Sequence, residues 1–120
     1  HYPLLTTHYS QATEEAVAIR RELSGARPDA FLPDLASSLW NHGLQLSAVE
    51  RYPEALDAAR ESVEIYSDVL EAHPVLLPAL AGWLTGALDS LVERLSGLNH
   101  SPDTDPLVQR ARALIEQAEE

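Results

Sequence analysis

The sequence predicts an all-α chain, an antiparallel helix-pair solenoid of about five helices with no strand. Three observations carry this expectation. Ala, Leu, Glu and Arg dominate, while aromatic residues make up only 6% and β-branched ones are few, a balance that favours helix over sheet. Apolar residues recur at spacings of three and four along most of the chain. One phrase is also written twice: "FLPDLASSL" at 31–39 and "LLPALAGWL" at 76–84 match at an offset of 45. "EEAVAI" at 14–19 and "RESVEI" at 60–65 match at an offset of 46, which Pro28 and Pro74 share. Leucine-rich helices resemble one another by composition alone, but shared prolines at shared spacing do not follow from composition. A period in the forties with two helices per unit predicts stacked helical pairs. We divide the single domain into a half repeat at 8–27, a repeat at 28–73 and a divergent repeat at 74–120.

The first helix is expected over about 9–23, with Ala12, Ala16, Ile19 and Leu23 on one stripe and Glu14, Glu15, Arg20 and Arg21 opposite. "SGARPD" should end it through Gly25 and Pro28. The second, over 32–48, stacks Leu32, Ala36, Leu39, Gly43 and Leu46, with Pro33 in its first turns, where a missing N–H costs least. The third, over 53–72, carries Ala55, Ala58, Ala59, Ser62, Val63, Ile65, Tyr66, Val69 and Leu70 inward. His73 before Pro74 closes it, because a residue preceding proline avoids the α region. The fourth, over 77–98, is apolar nearly all round and needs neighbours on several sides. Asp105 should cap the fifth, which starts at Pro106 and buries Leu107, Ala111, Leu114 and Ala118.

Composition narrows the function. A net charge of −11 with eight basic residues argues against nucleic acid, since no basic track remains to neutralise phosphates. It favours a partner that is basic or uncharged. Absence of cysteine excludes disulfides and thiolate metal sites and is compatible with a cytoplasmic location. The start "HYPLLTTHYS" has neither Met nor a basic-then-apolar leader, so the chain reads as part of a longer protein. The stretch 75–88 is apolar but short and interrupted by Pro78, which predicts a buried helix rather than a membrane span.

The unit containing "NHG", "RYPEAL" and "AARESVEIY" resembles a tetratricopeptide repeat of the long type, about 42 residues per unit, as in kinesin light chains and in bacterial and fungal signalling proteins. "PDAFLPDLASSL" especially resembles repeats attached to signalling ATPases of actinobacteria and fungi. The resemblance implies a small residue at Gly43 where two helices meet, an aromatic wedge at Tyr52, and Ala55 where no larger side chain fits. In the divergent unit Leu88 stands where the glycine would be, and the turn aromatic is lost.

Reactive chemistry finds little support. The five histidines never pair at helical spacing, so no metal site or cofactor is expected. Carboxylate neighbours such as Asp57 and Glu61 suit exposed helix faces better than a desolvated catalytic cleft. "SPDTDP" lacks the glycine and closing Glu of a calcium loop, and neither a nucleophile elbow nor a phosphate loop occurs. No enzyme is expected.

The expected function is a protein–protein interaction module that presents a concave helical groove to a peptide or protein. The alternative is a structural or oligomerisation segment without a ligand of its own. By the resemblance, the groove face reads Ser37, Trp40, Asn41, Leu44 and Ser47 in one unit, and Gly82, Thr85, Asp89 and Glu93 in the next. Trp40 beside Leu44, with carboxylates one unit away, suits an apolar side chain flanked by Lys or Arg. Self-association through the stripe of the unpaired first helix is a further expectation.

Overall fold

Short connections dictate the topology. The computed structural model describes the backbone of residues 4–119 and the side chains of 12–119 except residue 29. It contains α1 (Leu4–Ala26), α2 (Pro28–Ala48), α3 (Tyr52–Ala72), α4 (Leu77–Gly97) and α5 (Pro106–Glu119), with single 3-10 turns at Pro74–Leu76 and Pro102–Thr104. Among the described residues there is no strand. Each helix packs on the one before it, and α2 also touches α4 while α3 touches α5. With such short links, consecutive packed helices must run antiparallel. The result is flat, 46 × 36 × 18 Å.

Local chemistry explains the helix ends. α2 begins at Pro28 rather than at 32, so Pro33 lies inside the helix, where it removes one hydrogen bond near the N-terminus. α2 and α4 both stop on a residue with positive φ, Glu50 at 63° and Asn99 at 62°. At each, the next residue's N–H reaches back five residues: Arg51 to Leu46 O (2.9 Å) and His100 to Leu95 O (2.9 Å). This is the Schellman closure, with a non-glycine residue at the left-handed position. Asp105 caps α5 as expected, its Oδ1 accepting from the N–H groups of Leu107 (2.9 Å) and Val108 (3.4 Å).

The main core joins α3, α4 and α5 through Val63, Tyr66, Leu70, Leu84, Leu88, Leu91, Leu95, Val108, Ala111 and Leu114. A smaller cluster of Val17, Leu35 and Leu39 ties α1 to α2, and Leu46, Ala55 and Ala58 seal the α2–α3 turn. α4 does have neighbours on three sides. Pro74–Gly97 is by length and composition sufficient to cross a bilayer, and only 22% of its apolar window is buried; the expected buried helix over 75–88 is buried at Leu84, Ala87 and Leu88 alone, with Leu91 and Leu95 further on.

The first helix turns its apolar stripe outward, the placement that the self-association expectation requires. Its apolar stripe does not face α2: Ala12 is exposed, Ile19 is 59% exposed and Leu23 40%. The side toward α2 lies one residue further on and is partly polar. Val17 and Ser24 are buried there, Thr13 Oγ1 and His42 Nδ1 share a hydrogen bond (2.9 Å), and Arg20 donates to Ser38 Oγ (3.0 Å). Arg21 pairs with Glu61 of α3 at 2.6 Å. Hydrogen bonds therefore share this contact with the Val17, Leu35 and Leu39 cluster.

Candidate partner-binding groove

A groove runs between α2 and α4, and Trp40 stands in its middle. The indole lies against α4 at Gly86, where a side chain would collide with it: a Cβ built at 86 would come within 2.5 Å of Cη2 and 2.8 Å of Cζ2. Its Nε1–H donates to Ser90 Oγ (2.9 Å). Trp83 meets it edge to face, with ring centroids 6.1 Å apart and planes at 85°, a favoured aromatic geometry. Trp40 is therefore half-buried, a packed residue on one side and a wall on the other.

The tryptophan pair separates two open cavities. One, of about 170 Å³, is lined by Trp40, Leu44, Ser47, Ser90, Glu93 and Arg94 over a floor of Gly43, Ala55 and Ala59. The other, of about 260 Å³, is lined by Pro33, Asp34, Ser37, Tyr66, Leu80 and Trp83. In the first, Arg94 donates to Ser47 Oγ, pairs with Glu93 Oε1 at 2.7 Å and lies 6.0 Å from the Tyr52 ring centroid, within cation–π range. In the second, burial pushes the Tyr66 phenol above its ordinary pKa, a Ser37 hydrogen bond partly offsets this, and the Asp34 carboxylate adds to the rise. The hydroxyl thus stays protonated and available as a donor.

The sequence-derived face is divided by the structure. Trp40, Leu44, Ser47 and Glu93 share the first cavity, and Ser37 lines the second. Asn41 and Asp89 are exposed and line neither, and Thr85 turns its hydroxyl back to Ala81 O (2.8 Å). Trp83, Gly86, Ser90 and Arg94 were missed. The cause is geometric. Carrying the α2 face forward by 45 residues selects the same flank of α4, whereas a groove between two helices is walled by opposite flanks. On α2, the flank corresponding to Trp83 carries Ser38 and His42, and both face back to α1.

Two residues placed by the resemblance behave differently. Ala55 is fully buried, as implied. Tyr52 does not fill the helix turn but is 40% exposed beneath Arg94. Gly43 is closely approached, yet a Cβ there would meet Ala55 O and Ala58 Cβ at 3.5 Å, ordinary contact.

No family model, curated protein or solved structure matches this chain. Among the described residues no three His, Asp or Glu side chains converge.

Proposed function

We propose that the chain is a protein–protein interaction module whose α2–α4 groove receives an apolar side chain flanked by basic residues. The observation that carries this is the exposure of large apolar groups on one open face: Leu44 is 49% exposed and Trp83 51%, on either side of half-buried Trp40. Tryptophan anchors in partly desolvated pockets dominate binding energy, and Asp34, which lines the cavity beside Trp83 outside any ion pair among the described residues, steers cationic partners. In this reading α2 with α3 and α4 with α5 are successive pairs of a tetratricopeptide-like array and α1 is the second helix of an earlier pair. The forties period and the α2–α4 and α3–α5 contacts support it.

Selection of phage-displayed random dodecapeptides tests the reading. Wild-type protein should enrich peptides with one large apolar residue beside Lys or Arg, and the exposed-site variants Leu44→Asp and Trp83→Ala should lose them while remaining folded. Enrichment that is absent, or indifferent to both substitutions, would remove the groove from consideration.

The structural alternative has one observation in its favour, the outward stripe of α1 with Ile19 and Leu23. Glu15 and Glu22 lie exposed on the same helix, so a second copy laid there meets like charge, which weakens self-association.

A further inference from the structure

We propose that the cavity under Trp83 is a subsite for a primary ammonium on an aliphatic stem, the chemistry of a lysine side chain. Leu80, Pro33 and the Trp83 ring supply apolar walls, and Asp34, Ser37 and Tyr66 supply the polar groups. A lysine divides in the same way, with four methylenes that favour apolar surface and a compact charge that seeks a carboxylate or an aromatic face. Trp83 is half exposed, so its ring is accessible to such a cation.

The chain does not fill this subsite itself. Arg21, Arg51, Arg60, Arg94, Arg110 and Arg112 pair with Glu61, Glu54, Asp105, Glu93, Asp68 and Glu71, and Asp103 respectively. None of the ion pairs among the described residues involves Asp34, and the sequence contains no lysine. A lysine that enters here therefore comes from outside these 120 residues, and a second copy of the same 120 residues has none to offer. The assignment rests on the groove reading for its partner, and it makes that partner specific: the apolar anchor enters beside Trp40 and Leu44, and the lysine enters beyond Trp83.

Hexylammonium chloride against hexan-1-ol, followed by NMR at the Trp83 indole N–H, tests the subsite without any peptide. Hexylammonium should shift the resonance saturably and bind at least about fivefold tighter than the alcohol at low salt, the factor expected of a modest cation–π and ion-pair contact. Added salt should reduce the preference. Asp34→Asn, at an exposed position, should abolish it without changing the melting temperature. Equal binding of alcohol and ammonium, no saturable shift, or a preference that survives Asp34→Asn would each overturn the assignment. Failure of the dodecapeptide selection with hexylammonium still bound through Asp34 would remove the groove reading and leave the subsite standing.

Discussion

The indole of Trp40 occupies the space that a side chain at Gly86 would need, with Cη2 2.5 Å from the position of a Cβ. This relationship sets the separation of α2 and α4 and makes two of the helical glycines, Gly86 and Gly43, unequal. Gly86→Ala gains about 1 kcal/mol of helix propensity, but it must displace a ring that is also held by Ser90 and Trp83. Overpacking of that kind typically costs 1–3 kcal/mol. Urea denaturation should show Gly86→Ala less stable than wild type, whereas Gly43→Ala, whose new methyl finds contacts at 3.5 Å, should be neutral or stabilised by up to about 1 kcal/mol. A stabilised Gly86→Ala would mean that Trp40 does not rest there.

Trp40→Ala should destabilise by about 2 kcal/mol, below the 3–5 kcal/mol of a fully buried tryptophan, because the ring is only partly buried. Trp83→Ala should cost less than about 1 kcal/mol, since Trp83 is 51% exposed. Both should weaken peptide binding. Equal stability losses for the two would contradict their different burial.

Much of this fold was legible in the sequence because burial in α2 and α3 follows apolar spacing, whereas on α5 Val108 is buried in place of half-buried Leu107, and Ala118 of the expected stripe is exposed. Of the nine inward residues expected on α3, only Ile65 is incompletely buried, and Ser67 joins them. The flank by which α1 meets α2 was not legible because Thr13 and Arg20 make that contact through hydrogen bonds to His42 and Ser38, which a hydrophobic pattern cannot register. Half of the groove was legible for a related reason. The α2 wall is marked by Trp40 and Leu44, but the α4 wall uses Gly86 and Ser90, whose roles appear only once the Trp40 ring is laid against them.

The left-handed helix ends offer a separate test. Glu50 adopts φ 63°, a conformation costing an L-residue with a side chain roughly 1 kcal/mol and glycine almost nothing. Glu50→Gly should therefore raise stability by about 1 kcal/mol. Asn99→Gly should give a smaller gain, because asparagine tolerates this region. Thermal melts of the two variants, ranked against wild type, check the order.

Inside the core, Ser67 Oγ is buried without a hydrogen-bond partner, whereas Ser62 Oγ donates to Ala36 O (2.7 Å). An unsatisfied buried hydroxyl costs about 1–3 kcal/mol. Ser67→Ala should stabilise by about 1 kcal/mol and Ser62→Ala should destabilise by a similar amount. Identical effects of the two substitutions on the urea midpoint would show that hydrogen bonding does not distinguish them.

Acid should weaken the fold in two stages. Burial lowers the His42 pKa from its ordinary 6.5, with Glu14 and Glu54 opposing and Arg51 assisting that shift. The folded protein thus binds fewer protons than the unfolded chain, and stability falls as pH drops below about 6.5. Asp105 and Glu71 are lowered chiefly by their hydrogen bonds with Arg60 and Arg110. Their contribution is present above the ordinary carboxylate range and is lost as pH falls through their depressed values. His42→Asn keeps a polar partner for Thr13 but cannot titrate. The melting-temperature difference, wild type minus variant, should be flat between pH 8 and 7 and decline from about pH 6.5 toward the depressed value of His42, while the carboxylate contribution is shared by both proteins. A difference that stays constant between pH 7 and 5, or that grows as pH falls, would show that the contact of α1 with α2 does not hold His42 in its neutral form.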